Sequence, residues 1–107
     1  MSIDASFHSF TDAEINNATI LDGVYALYDG SETIYIGKGE GAEGIRGRLK
    51  RHKAGYEGNC TKQATYFNYE TNFNPLKRES ELLQEYKRLW GKLPRCNEVM
   101  PDKSTWA

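Results

Sequence analysis

The feature that most restricts the fold of this chain is a pair of strand-like segments joined by a short turn. Residues 24–28 read Val-Tyr-Ala-Leu-Tyr and residues 33–37 read Thr-Ile-Tyr-Ile-Gly, and both runs are rich in residues that favour strands. Between them, Asp29-Gly30-Ser31 is typical of a tight turn. The pattern therefore predicts a β-hairpin, with Gly23 at the start of its first strand.

The rest of the chain predicts three helices and a third strand. Thr11, followed three residues later by Glu14, is a capping-box pattern that begins a short helix. Asn74-Pro75 is a typical helix start, and Gly91 is a typical stop. Strands with intervening helices predict a small α+β domain in which helices pack on one sheet. The predicted bounds are residues 11–17, 45–54 and 75–90 for the helices and residues 63–70 for the third strand.

The length of 107 residues corresponds to one domain. We expect a lead-in with a short helix over residues 1–21, the ordered domain over residues 22–98, and a flexible polar tail over residues 99–107. No apolar run is long enough to cross a membrane and no signal-like segment opens the chain, so we expect no membrane partner. Cys60 and Cys96 lack metal-like spacing and are predicted to be reduced thiols in a cytoplasmic protein, a structural disulfide being the unneeded alternative.

The charge of the chain does not decide whether it binds nucleic acid. The net charge is −1, which is not typical of a nucleic-acid-binding protein. The segment 46–53, however, carries five basic residues and His52 within eight positions. An ordinary solvated helix face explains such a run as well as a phosphate-binding surface does.

Glu79 is the most informative side chain, because its carboxylate interrupts the apolar side of the last predicted helix. At about 100° per residue, Glu79 falls near the centre of the apolar stripe. A charge in that position is costly unless hydrogen bonds or a cation compensate it. The cation is either a lysine or arginine at the rim, or a hard divalent ion such as Mg²⁺ or Mn²⁺, which takes one or two carboxylates and otherwise binds water and phosphate. The stripe consists of Leu76, Leu82, Leu83, Tyr86, Leu89 and Trp90.

Arg48 and His52 are four residues apart and therefore lie on one side of the predicted helix 45–54. Arg48 could bind a phosphate through two hydrogen bonds and stabilise the extra charge of a transition state. His52 could bind a phosphate oxygen or transfer a proton near neutral pH. Taken singly, each is as well explained as a surface side chain. Arg46 is the alternative to Arg48, but it has no histidine four residues later.

In combination, these residues resemble the GIY-YIG nuclease family. Gly23-Val24-Tyr25 and Tyr35-Ile36-Gly37 match the two triplets that name the family, with valine in place of the first isoleucine. Arg48 with His52 matches the family's Arg-x-x-x-His pair. Glu79, followed three and four residues later by two leucines, and Asn97 complete the set. The resemblance covers residues 22–98.

Two departures from the family leave the metal-binding glutamate open between two candidates. The glycine-rich loop before Arg48 is longer than in the family, and so is the stretch between Glu79 and Asn97. Glu85, twelve residues before Asn97, has the spacing of the excision-repair members. On the helix, however, Glu85 turns away from the apolar stripe. Glu79 is therefore the preferred metal ligand and Glu85 the alternative.

The resemblance implies a small three-stranded antiparallel sheet flanked by helices and a divalent-metal-dependent endonuclease that hydrolyses phosphodiester bonds in DNA. Glu79 would bind one Mg²⁺ or Mn²⁺, Tyr25 would orient or deprotonate the attacking water, and Tyr35 would help to bind that water or the phosphate. Arg48 would stabilise charge, with His52 beside it, and Asn97 would anchor the site. Strand tyrosines are more often packing residues, and a phenol with a pKa near ~10 is a poor base at neutral pH. The implied phosphate-binding residues are Lys38, Arg46, Lys50, Arg51 and Lys53.

Members of this family usually gain specificity from an attached domain, which the sequence does not predict here. We therefore expect either a structure-selective nuclease or a chain that takes its specificity from a partner protein. The alternative function is a non-catalytic nucleic-acid-binding or protein-interaction module that retains the fold.

Overall fold

A computed structural model describes residues 3–97 of the chain as one sheet packed by helices on both faces. The sheet has four strands in the order β1-β4-β2-β3, and every pair of neighbours is antiparallel. β2 is therefore central, and β3 is an edge strand. The elements are β1 His8–Ser9, α1 Asp12–Asn16, β2 Gly23–Asp29, β3 Glu32–Gly39, α2 Gly44–Ala54, α3 Asn59–Lys62, β4 Tyr66–Thr71 and α4 Pro75–Trp90.

The predicted hairpin is confirmed as β2 and β3, which pair from Gly23 with Gly39 to Asp29 with Glu32. Gly30 has a φ of 62°, a left-handed conformation that glycine adopts without a steric penalty. The alternation along β2 sends Tyr25 towards one face of the sheet and its sequence neighbours towards the other. The hairpin thus provides the central framework on which both helical layers pack.

The two layers of the core lie on opposite faces of the sheet. One contains Tyr25 and Tyr35 with Ile45 and Leu49 of α2. The other contains Val24, Ala26, Tyr28 and Ile36 of the hairpin with Leu82 and Leu83 of α4. Both hairpin tyrosines of the family triplets therefore lie on the α2 side, where Arg48 and His52 are found.

Two motif glycines are required by close packing. A Cβ atom on Gly37 would lie 2.6 Å from the Tyr25 hydroxyl oxygen and 2.7 Å from the Tyr35 ring. A Cβ atom on Gly23 would lie 2.8 Å from Cδ1 of Ile45 and closer still to the backbone of β4. Real side chains do not approach so closely, so neither position accommodates a larger residue without a shift.

The predicted helix ends are confirmed with small changes. Thr11 caps α1, its hydroxyl accepting a hydrogen bond from the Glu14 amide at 3.3 Å. Asn74 caps α4 by accepting from the Lys77 amide, and Gly91 ends it with a left-handed φ of 77°. The α4 stripe is only partly buried, however: Leu82 and Leu83 are in the core, whereas Leu76, Leu89 and Trp90 are more than half exposed.

The prediction of three strands is wrong, because β1 adds a fourth strand next to β4. His8 and Ser9 pair with Phe67 and Tyr66, a contact of two residues that is too short to give a periodic pattern. The third predicted strand also begins at Tyr66 rather than at residue 63, since α3 and its turn occupy the preceding residues. The predicted tail, residues 99–107, lies outside the described part of the chain.

The prediction of reduced cysteines is also wrong. Cys60 of α3 and Cys96, beyond α4, form a disulfide across 36 residues of sequence. The pairing depends on tertiary contacts that spacing does not reveal. Because disulfides persist mainly in oxidising compartments, the predicted cytoplasmic location loses the support of reduced thiols and stays a prediction. Within residues 3–97, no helix combines the length and the apolar character needed to span a membrane.

Candidate active site

The centre of the candidate site is a buried chain of three polar side chains. The Tyr25 hydroxyl oxygen lies 2.7 Å from His52 Nε2, and His52 Nδ1 lies 2.8 Å from the Thr61 hydroxyl. All three residues are fully buried. Tyr25 points to this side because side chains alternate along β2, His52 lies on the buried side of α2, and Thr61 belongs to the single turn of α3. Tyr25 and His52 were singled out from the sequence, whereas Thr61 was missed because an isolated threonine carries no pattern.

His52 is neutral in this environment. Burial, together with the positive charge of Arg48, lowers the pKa of the imidazole to about 3. A neutral imidazole donates from one nitrogen and accepts at the other. A phenol is the more acidic hydroxyl, so we infer that Tyr25 donates to Nε2 while Nδ1–H donates to Thr61. Both ring nitrogens have partners inside the protein, which leaves neither for the predicted contact with a phosphate oxygen.

The two tyrosines are protonated in the protein alone. Burial raises the pKa of Tyr25 well above its ordinary value, and the neighbouring Tyr35 adds to this effect. Burial also raises the pKa of Tyr35 to about 12. Both side chains flank the His52 ring, with ring centroids 5.5 Å and 4.8 Å from it. The pair therefore presents neutral hydroxyl groups and not a phenolate.

Arg48, beside the hydrogen-bonded side chains of Tyr25, His52 and Thr61, has an N–H group without an acceptor in the described part of the chain. Its Nε is buried and has no hydrogen-bond partner within residues 3–97. Its Nη2 lies 3.8 Å from a carboxylate oxygen of Glu57, and that same oxygen accepts a hydrogen bond of 2.7 Å from Nε of Arg51. The buried N–H of this guanidinium is therefore available to a further acceptor, such as a phosphate oxygen.

Glu57 is the second residue that sequence analysis missed. It lies in the loop after α2, between Gly55 and Gly58, which both have positive φ values. Partial burial acts to raise the pKa of its carboxyl, but hydrogen bonding from Arg51 and the charge of Arg48 together outweigh burial and lower that pKa. The available signal was an acidic residue just after the basic run 46–53, which marks it as an internal partner for that run.

Glu79 and Glu85 occupy different surroundings on α4. Glu79 is 6 % exposed, and within residues 3–97 its carboxylate has no hydrogen bond or ion pair. Burial raises its pKa, while the charges of Lys38 and Arg48 act against that rise. Its charge also contributes to the raised pKa values of Tyr25 and Tyr35, after the larger effect of burial. Glu85 instead forms an ion pair of 3.2 Å with Arg88.

A carboxylate such as Glu79 fits the kind of metal that the resemblance implies. It is buried, lacks a paired cation at contact distance in the described residues, and borders a surface cavity of α4. Mg²⁺ is commonly held by one or two carboxylates while keeping several waters, so it does not require a cage of protein ligands. Residues 3–97 contain no cluster of three or more histidine, cysteine or acidic residues able to hold a metal on its own.

The predicted phosphate-binding residues separate into two groups. Lys50 and Arg51 line one surface depression together with Arg48. Lys38 lies near Glu79 and pairs with Glu40 at 2.7 Å. The other group faces the N-terminal segment: Arg46 donates a hydrogen bond to the Ala18 carbonyl, and Lys53 lies over the Phe10 ring.

Asn97 is attached to the outer edge of β3. Its side-chain oxygen accepts from the Ile36 amide and its side-chain nitrogen donates to the Ile36 carbonyl, both at 3.0 Å. The residue is 2 % exposed and saturates backbone groups that an edge strand would otherwise leave unpaired. Asn97 thus holds the strand segment that carries Tyr35 and Gly37.

The site therefore contains two protonated tyrosines, a neutral histidine, an arginine with a free inward N–H, and a buried carboxylate. No protein-family model, no curated protein and no solved structure matches the chain.

Proposed function

We propose that this chain is a divalent-metal-dependent endonuclease that hydrolyses phosphodiester bonds in DNA, in the manner of the GIY-YIG nucleases. The observation that carries the proposal is the contact of 2.7 Å between Tyr25 and His52, beside an arginine whose buried Nε lacks a partner. An ordinary packing role for Tyr25 does not require a buried neutral imidazole as its acceptor. A hydroxyl held by a neutral base can pass on a proton, and an unsatisfied guanidinium can take up a phosphate.

In the proposed reaction, Tyr25 orients the attacking water, and its phenolic oxygen takes a proton from that water as the phenolic proton passes to His52 Nε2. Burial and the charge of Arg48 keep the imidazole neutral, and negative charge that develops next to it would raise its pKa and let it accept that proton. Tyr35, whose ring lies 4.8 Å from that of His52, helps to bind the water or the phosphate. Each transfer is between adjacent partners, so no phenolate needs to exist in the resting protein.

Arg48 binds the scissile phosphate and stabilises the charge that develops on its oxygens. Lys50 and Arg51 line the same depression and contribute to backbone binding, together with Lys38. Glu79 would hold Mg²⁺ or Mn²⁺, which supplies Lewis-acid stabilisation of the phosphate and of the leaving oxygen. Asn97 holds β3 in place. The proposal also includes a partner protein as the source of substrate specificity.

The test is cleavage of labelled duplex, single-stranded and branched DNA in Mg²⁺, Mn²⁺ or EDTA. Glu79→Gln and Glu85→Gln serve as a matched pair, since both change a carboxylate of α4 without changing its length. We expect metal-dependent cleavage that falls by about 100-fold or more in Glu79→Gln and remains in Glu85→Gln. Loss in Glu85→Gln alone would transfer the metal to that residue.

Wild-type protein that binds DNA but cuts none of the substrates would overturn the proposal. That outcome would favour the non-catalytic binding module that retains the fold. Arg48→Lys provides a second variant, because lysine keeps the charge but lacks the planar pair of donors. We expect it to bind DNA and to cleave it more slowly.

A further inference from the structure

The disulfide lies between two segments that each hold part of the candidate site. Cys60 directly precedes Thr61, which contacts His52, and Cys96 directly precedes Asn97, which holds Ile36 of β3. Both cysteines belong to the cluster of buried residues that contains Tyr25 and Tyr35, or pack against it. The bond thus connects the supports of the histidine and of the edge strand.

The first segment has little structure of its own. α3 contains four residues, Asn59–Lys62, and follows a loop in which Gly55 and Gly58 take positive φ values. A single helical turn is not stable by itself, because nucleating a helix costs more free energy than the hydrogen bonds of one turn contribute. The position of the Thr61 hydroxyl relative to His52 Nδ1 therefore depends on what holds α3 against the core.

The second segment also lacks regular structure. Residues 91–97 follow α4 and contain no helix or strand. Cys96 donates its amide hydrogen to the Ile34 carbonyl at 2.8 Å, and Asn97 exchanges two hydrogen bonds with Ile36. These contacts lie on either side of Tyr35. This segment therefore supports the outer edge of β3 on both sides of Tyr35, while β2 pairs with the inner edge.

We propose that the Cys60–Cys96 disulfide is a positioning element that aligns Thr61–His52–Tyr25 with Tyr35, so that the activity depends on the redox state of these two thiols. This inference rests on the proposed function and assigns a form of regulation to the same site. The oxidised protein has both supports joined covalently. The reduced protein retains the contacts with His52 and Ile36 but not their alignment.

The chemistry requires a dithiol reductant, for which Cys60 is the accessible entry point. Cys60 is partly exposed, whereas Cys96 is fully buried. A reductant thiolate attacks Sγ of Cys60, the Sγ–Sγ bond breaks, and the electron pair leaves on Sγ of Cys96, which takes up a proton. The second thiol of the reductant then displaces Cys60 as a thiol, and the reductant leaves as its own disulfide. Oxidation by a small disulfide reverses these steps.

The expected consequence is a change in kcat with little change in KM. The phosphate-binding depression is lined by α2 residues and the residues just before α2, which the disulfide does not hold. A displacement of about 1 Å in reacting groups can cost about 100-fold in rate. We expect reduction to lower kcat by between about 10-fold and 100-fold and to leave DNA binding within about two-fold.

The first test compares the oxidised wild type with the same protein in dithiothreitol, at a temperature where circular dichroism shows both forms to be folded. The double variant Cys60→Ser, Cys96→Ala is the control, because it cannot form the bond and should be as slow as the reduced wild type. Its rate should not respond to dithiothreitol, which also controls for metal binding by the reagent. Equal kcat in the oxidised and reduced wild type would overturn the inference.

Two further measurements judge the inference without cleavage. Reduction should shift the ring ¹⁵N resonances of His52 and should speed hydrogen exchange of the Ile36 amide, which donates to Asn97. If neither changes, the disulfide does not position the site. If both change in a wild type that cleaves no DNA, the proposed function fails while the coupling of the disulfide to these side chains is supported.

Discussion

The buried His52 makes a direct prediction about stability and pH. The pKa of a histidine is ordinarily 6.5, and in the folded protein it is lowered to about 3. Between these values the unfolded chain binds a proton that the folded protein does not. The neutral imidazole therefore stabilises the fold fully above pH 6.5, and this contribution is lost as the pH falls from 6.5 towards 3. Burial is the main cause of the low pKa; the charges of Arg48 and Arg51 add to it, and that of Glu57 opposes it.

The magnitude follows from the two pKa values. Linkage gives a loss of about 2 kcal/mol at pH 5 and about 3 kcal/mol at pH 4, relative to pH 7. Because the side chain is fully buried, solvent screening does not reduce these values. This is a large fraction of the stability of a domain of this size, which is on the order of 5–15 kcal/mol.

The assay is urea unfolding of the wild type and of His52→Gln at several pH values. Other groups also titrate in this range, so the quantity of interest is the difference in unfolding free energy between the two proteins. Glutamine places an amide near the former Nε2 and does not titrate. We expect the advantage of the wild type at pH 7 to shrink by about 3 kcal/mol at pH 4. A difference that stays constant from pH 7 to pH 4 would refute a buried, neutral His52.

Two further substitutions test other parts of the site. Glu57→Gln removes the carboxylate that pairs with Arg48 and Arg51. We therefore expect several-fold tighter DNA binding, and the slope of log K against log salt should become steeper by about 0.9. Glu14→Gln, on α1, is the matched control, because Glu14 pairs with His8 and not with an arginine of the basic run. Equal slopes for the two variants would contradict the role assigned to Glu57. Gly37→Ala would push against Tyr25 and is expected to lower the unfolding free energy by about 1–3 kcal/mol and to slow cleavage. Ser31→Ala, in the exposed turn, should leave both quantities unchanged, and wild-type stability in Gly37→Ala would contradict the close approach.

Local sequence signals predicted the parts of the fold that local interactions determine. The hairpin turn at Gly30, the cap at Asn74 and the stop at Gly91 each depend on a few neighbouring residues, and all three are confirmed. Gly23 and Gly37 of the two hairpin triplets both lie where a Cβ atom would meet a neighbouring segment. These features could be predicted because the physical cause and the residue lie at the same place in the sequence.

The features that were missed depend on contacts between distant segments. β1 exists only because β4 pairs with it, and its two residues carry no period of their own. The disulfide joins residues 36 positions apart, and Thr61 acquires a role only because α3 is held beside His52. The sequence identified Tyr25, Arg48 and His52 as candidate site residues. Their partners Thr61 and Glu57 were recognised only from the tertiary structure.

The protonation states of Tyr25, Tyr35 and His52 also show what must change before these side chains can move a proton in the proposed reaction. Tyr25 and Tyr35 both have raised pKa values, so the resting protein has no phenolate that could activate water. His52 has too low a pKa to be charged at neutral pH, so the resting imidazole is a weak proton acceptor. The nearest negative charges, those of Glu57 and Glu79, oppose the ionisation of either tyrosine. Burial is the main cause of the raised tyrosine pKa values, and the two carboxylates add a smaller part. A divalent cation at Glu79 would neutralise one of them, and the charge of Arg48 already acts to lower both pKa values. Under the proposed function, the site is therefore inactive until a metal binds at Glu79, which limits hydrolysis to the metal-loaded protein.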